Sequence, residues 1–158
     1  MTNLAERFDT EILDLIPHRP PMLLINRIRS LSAAASSSIV IIDEKTSFFQ
    51  PGKGVPSWIG LEYMGQTAAM IAGFQIRQGL IEPHLGFLIG SRQYTAVQDF
   101  FKLETRLLIS CREAALVGDN LATFNCTIED VASNTLLAEA NLSVIRKPHP
   151  HSAENKNV

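Results

Sequence analysis

Cysteine occurs only twice, at Cys111 and Cys126, with no CxxC pair and no histidine beside either. That argues against a zinc ligand set of ordinary spacing. Both lie in apolar stretches, so we expect buried free thiols in a reducing cytoplasm. No run of about 18 apolar residues is present, so composition gives no membrane-spanning helix. Met1 to Thr10 holds Glu6, Arg7 and Asp9 and no apolar core segment, which reads against a secretory signal. Charge of one sign is missing too. Lys and Arg number 14 against 16 Asp and Glu, a net −2, without the basic cluster that nucleic-acid binding wants. Gly52-Lys53-Gly54 lacks the remaining glycines and the Ser/Thr of a phosphate loop. Ser57 stands outside any GxSxG context, so a nucleophile elbow is not supported. No internal repeat is visible.

What remains is 158 residues, 46% hydrophobic and 19% charged. This suits one globular domain, placed at 1–146, with a core that needs no staples. The polar end, 147–158, is expected to be a mobile tail. A short helix near Ile12 to Ile16, capped by Asp9 or Thr10, ends at Pro17. His18-Arg19-Pro20-Pro21 reads as a stiff linker. Strands are expected over Met22–Leu31 and Ser36–Asp43, then a loop over Phe48–Val55. Four more strands are expected at Leu85–Tyr94, Leu103–Ala115, Leu121–Glu129 and Thr135–Ile145.

Between these groups, Pro56 to Gly79 reads as one long helix capped by Ser57. Its apolar residues spread round most of the circumference, and Gly60, Gly65, Ala68, Ala69, Ala72 and Gly73 allow close approach of other backbone. About 20 residues span roughly 30 Å, the width of a small domain. The order of elements predicts an α+β fold, one long helix against an antiparallel sheet. One sheet covers one side of such a helix, so we expect a dimer.

Glu62 is a carboxylate in the first turns of an apolar helix, where burial raises its pKa and the helix end lowers it. That fits an acid that merely favours the positive helix end, or a general acid or base. Gln66, at i+4, is placed to orient it. His18 is a candidate base or a packed histidine of the proline-stiffened segment. His84 reads as a loop residue, and His149 and His151 as solvated tail.

Two segments resemble a known family. Leu15-Ile16-Pro17-His18-Arg19-Pro20-Pro21-Met22-Leu23-Leu24-Ile25-Asn26-Arg27 is similar to the opening of bacterial 3-hydroxyacyl-ACP dehydratases, with Asn26 for the usual Asp. Phe48-Phe49-Gln50, with Pro56 to Gln66, is similar to that family's loop and helix start, including the Glu and Gln four apart. The resemblance covers roughly 12–146. It implies the hot-dog fold, a long central helix wrapped by a single antiparallel sheet. It also implies a 3-hydroxyacyl thioester substrate on acyl carrier protein or CoA, no cofactor or metal, and a cytoplasmic homodimer or heterodimer with a related subunit. Carried over, Glu62 handles the departing hydroxyl, and Ser57 and Trp58 supply backbone donors to the thioester oxygen. With Gln66 these are the implied substrate-binding residues. The family's loop histidine has no counterpart in Gln50-Pro51-Gly52-Lys53-Gly54-Val55-Pro56, which looks about four residues shorter. The chain thus resembles a divergent branch that includes aryl-polyene dehydratase-like proteins. Four readings follow: His18 as base, a histidine from a partner subunit, a non-catalytic partner subunit, or a thioesterase using the helix carboxylate.

Overall fold

A computed structural model describes residues 7–118 and 120–148. Helix α1 is Ile12–Leu15, and the strands are β1 Arg27–Leu31, β2 Ala35–Ile41, β3 Val55–Pro56, β4 His84–Ala96, β5 Phe100–Phe101, β6 Arg106–Val117, β7 Leu121–Asp130 and β8 Leu136–Pro148. Between β3 and β4 run a 3-10 turn, Ser57–Ile59, and the long helix α2, Gly60–Arg77. Six strands form one antiparallel sheet in the order β1-β2-β6-β7-β8-β4, and β3 and β5 make a small separate ladder. This is the hot-dog layout, a long helix held in a large antiparallel sheet.

Period-two alternation gives the sheet its inner face. Leu107, Ile109 and Cys111 of β6 are buried, as are Ala122, Phe124, Cys126 and Ile128 of β7. Helix α2 lays Tyr63, Met64, Met70 and Ile71 on that face, each no more than 1% exposed. Two features fix its position. Ser38 and Thr67 share a buried hydroxyl contact of 2.6 Å, while Thr67 donates to the Tyr63 carbonyl at 2.8 Å. The Thr67 proton is thereby used, so Ser38 is the donor to it. Ser36 donates to the Thr67 carbonyl at 2.5 Å. On the other side, Gly73 lies so close to α1 that a Cβ would collide with the Leu15 backbone.

The structure moves several expected boundaries. The strand begins at Arg27 and not at Met22: the Met22 carbonyl and the Leu24 amide bond to the Gln66 side chain and not to a neighbouring strand. The long helix opens as a 3-10 turn, and Ser57 provides no side-chain cap. Neither Asp9 nor Thr10 caps α1 by its side chain; the Asp9 carboxylate instead accepts from Ile28 N and Arg27. His84 is the first residue of β4, not a loop residue. Lys147 and Pro148 belong to β8 and not to the tail, whose remainder lies outside the described residues. Both cysteines are free and buried. No helix among the described residues is long and apolar enough to cross a membrane.

Gly73→Val should lower the midpoint of thermal unfolding, since overpacking against backbone costs about 1–3 kcal/mol. An unchanged midpoint by calorimetry would show that α1 does not press on α2 there.

Candidate active site

Glu62 and His18 stand 44 positions apart in the chain, and the fold brings His18 Nε2 to 3.6 Å from Glu62 Oε1. The approach depends on how the segment after α1 is held. Arg19 turns back and donates to three carbonyls, Ile16 at 2.9 Å, His18 at 2.8 Å and Leu13 at 3.0 Å. The amides of Met22 and Leu23 both bond to the Arg19 carbonyl. His18 is thus carried by a knotted turn over α2 and not by a free linker.

Glu62 is oriented from below. Gln66, fully buried, donates through Nε2 to Glu62 Oε1 at 3.0 Å and to the Met22 carbonyl at 2.8 Å. Its Oε1 accepts from the Leu24 amide at 2.8 Å. The one amide therefore ties helix, carboxylate and the His-Arg-Pro-Pro segment together. Gln66 was expected among the substrate-binding residues; its amide is instead bonded within the chain and buried, which suits it to orient Glu62. Asn26 has a comparable task. It accepts from Ile41 N at 2.8 Å and donates to the Arg7 carbonyl at 2.7 Å. An amide meets both demands, whereas a carboxylate only accepts.

Electrostatics favour a neutral His18. Burial pushes its pKa below the usual 6.5, the Glu62 carboxylate pulls it back up, and Arg19 lowers it. Its Nδ1 is buried without a hydrogen-bond partner. A neutral imidazole beside a carboxylate is equipped to accept a proton. At 3.6 Å the pair is too far apart for a direct hydrogen bond but close enough to serve adjacent atoms of one substrate.

The two residues border a cleft of about 170 Å³. Its floor is a half-buried side of α2, where Gly65, Ala69 and Ala72 are small, and Leu15, Pro17, Phe124 and Val144 contribute apolar walls. At the helix start the expected donors are only partly present. The Ser57 N–H bonds to the Asp99 carbonyl at 2.8 Å, and the Ser57 carbonyl accepts from the Tyr94 hydroxyl. Ser57 is thereby removed as a donor to a thioester oxygen. Trp58 sits in the same turn, one helical turn before Glu62, and is 64% exposed. Among the described residues no group of three His, Cys, Asp or Glu is placed to hold a metal. The cleft also reaches His84 and Arg146, which no local sequence pattern joins to Glu62. Only the strand pairing of β4 with β8 sets them on its wall.

Comparisons with known proteins agree with this layout. The dehydratase heterocomplex ApeI:P from Xenorhabdus doucetiae matches with a TM-score of 0.76 at 21% identity, over 93% of this chain and 97% of that one. A hypothetical thioesterase from Streptococcus pneumoniae, solved with coenzyme A, matches with a TM-score of 0.61 at 10% identity, over 77% of this chain and 85% of that one. The Escherichia coli PaaI protein from the phenylacetic acid degradation operon gives 0.59 at 10% identity, over 75% and 81%. No curated protein matches in sequence. The model of the ApeP-like family, described as ApeP dehydratase, matches residues 10–155, and the chain belongs to that family.

Proposed function

We propose that this protein dehydrates 3-hydroxyacyl thioesters carried on acyl carrier protein or CoA, in fatty acid or polyene-type biosynthesis, with His18 as base and Glu62 as acid. The observation that carries the reading is the 3.6 Å approach of the two side chains at the cleft. Elimination across a Cα–Cβ bond needs a base near the α-proton and an acid near the β-hydroxyl, on neighbouring atoms. Neutral His18 takes the α-proton through Nε2. That proton passes from His18 to the Glu62 carboxylate across the short gap, and Glu62 delivers it to the departing hydroxyl, which leaves as water. Gln66 holds Oε1 of the carboxyl, leaving Oε2 for substrate. Trp58 N–H, at the positive end of α2, is the donor that remains to steady the thioester oxygen as it becomes enolate-like. A cytoplasmic setting goes with such a substrate.

A second reading is a subunit that supports a catalytic relative in a heterodimer. Two observations favour it: the loop Gln50 to Pro56 contains no histidine, and the similar ApeI:P structure is a heterocomplex. The small-residue side of α2 that the sheet leaves open offers room for such a partner, or for a second copy of this chain.

Turnover of a 3-hydroxyacyl-ACP by the purified chain, beside its Glu62→Gln variant, separates the readings. Turnover that vanishes in the variant supports catalysis. A folded, inactive wild type that gains turnover only with a histidine-bearing relative supports the partner reading. Release of free thiol without dehydration would point to a thioesterase. His18→Ala should cost at least about a hundredfold, the low end for general acid–base catalysis; an active variant removes His18 from the reaction.

The charge environment gives an independent check. An NMR titration should place the His18 midpoint below 6.5. Glu62→Gln removes the raising influence, so the midpoint should fall further. A rise would contradict the proximity of the two groups.

A further inference from the structure

The turn that opens α2 is held by bonds its own helix does not supply. The first N–H groups of a helix have no partner within it, so their direction depends on how the turn is anchored. Here the anchors come from distant parts of the chain. The Ser57 N–H bonds to the Asp99 carbonyl at 2.8 Å, and the Ser57 carbonyl accepts from the Tyr94 hydroxyl. Within the turn that carbonyl receives a divided bond, because the Gly60 N–H is shared between the carbonyls of Ser57 and Trp58. Tyr94 is its undivided donor.

Tyr94 arrives there through an irregularity in β4. Ser91 stands opposite Leu142 of β8, and Tyr94 opposite Ala140. Three steps along β4 thus match two along β8, and the extra residue reverses the alternation of faces. Leu142 and Ala140 are both buried, so Tyr94 takes the inner face, where it packs against the core. In a regular ladder Gln93 would stand opposite Ala140 instead. Gly60 makes the complementary space, since a Cβ there would collide with the Tyr94 hydroxyl. Burial pushes the Tyr94 pKa up to about 12, so the hydroxyl keeps its proton and donates throughout the neutral range.

The Ser57 carbonyl and the Trp58 N–H belong to one peptide group. That group is planar and trans, so its C=O and N–H point in opposite directions within one plane. A donor that fixes the oxygen fixes the N–H as well. It also draws electron density out of the amide, which makes the N–H a stronger donor. We infer that Tyr94 is a positioning residue of the site: by holding the Ser57 carbonyl, it aims the Trp58 N–H at the thioester oxygen. This rests on the thioester reading above and adds a residue that acts through the backbone.

The test is isotope-edited infrared spectroscopy of a saturated acyl-CoA, labelled with carbon-13 at the thioester carbonyl and bound to the full chain. This probe has no 3-hydroxyl to lose, so the carbonyl is read without dehydration. A polarising donor lowers the carbonyl stretching frequency below its value in buffer. The wild type should show that lowering. Tyr94→Phe keeps the ring and loses the hydroxyl, so its band should return toward the buffer value at nearly unchanged affinity. With a 3-hydroxyacyl-CoA the same variant should lower kcat about tenfold with KM little changed, since losing an oxyanion donor outright costs about 10²–10³ and a group acting through that donor costs less. A merely structural Tyr94 would lower the unfolding midpoint and leave the band in place. Should Tyr94→Phe not fold, Gly60→Ala, whose methyl takes the space of the hydroxyl, carries the same expected shift. An unmoved band in the folded variant would overturn the inference and leave the thioester reading standing. A lowered band that the variant restores, in a protein that turns nothing over, would support the inference and remove the dehydratase reading. Failure of the wild type to bind the thioester would overturn both.

Discussion

The side-chain amide of Gln66 is the joint on which the site depends. Buried on α2, it satisfies the Met22 carbonyl, the Leu24 amide and the Glu62 carboxylate at once. A buried amide is costly to leave unpaired, on the order of 1–3 kcal/mol per lost partner, and inexpensive when all partners are present. The chain therefore has one low-energy way to pass from α1 to β1, and that path lays His18 beside Glu62. Binding geometry and local folding are here the same set of hydrogen bonds. The Arg19 side chain does complementary work on the outside, closing the carbonyls that the end of α1 leaves open.

Helix α2 contributes rigidity by a different route. Its lower side is apolar and seated on β6 and β7, yet registration along the sheet comes from hydroxyls. Ser36, Ser38 and Thr67 form a short buried chain in which each proton has an acceptor. Apolar contact alone tolerates sliding, whereas these directional bonds permit one position. The Glu62 turn inherits that position, which is how a carboxylate on a small-residue helix keeps a defined place at a cleft.

Much of this was legible in the sequence, and the limits have physical causes. The strand alternation around Phe124 and Cys126, the glycine-rich helix and the order of elements are local patterns, and they gave the fold. Glu62 and His18 stood out as unusual residues in their surroundings. Their mutual approach did not, because it is set by Arg19 and Gln66 bonds between distant segments. The Met22–Leu31 run has strand composition, but Gln66 claims its first backbone groups. Ser57 resembled a helix cap and a donor; the Asp99 carbonyl and the Tyr94 hydroxyl instead engage its amide and carbonyl. His84 and Arg146 reach the same cleft only through the pairing of β4 with β8, which no local window reveals.

Strand β4 lies at one margin of the six-stranded sheet and runs thirteen residues, from His84 to Ala96. Backbone along such a margin is a template onto which a stray extended chain can add, and repeated addition leads to aggregation. The register with β8 breaks twice, between Leu88 and Gly90 and between Ser91 and Tyr94, with Gly90 at a φ of 149°. Each break bends and twists the strand, so the margin offers short mismatched stretches and no long straight one. The irregularity that makes β4 look imperfect is thus a guard on solubility, and it restricts pairing along this margin to a surface that follows the same bends.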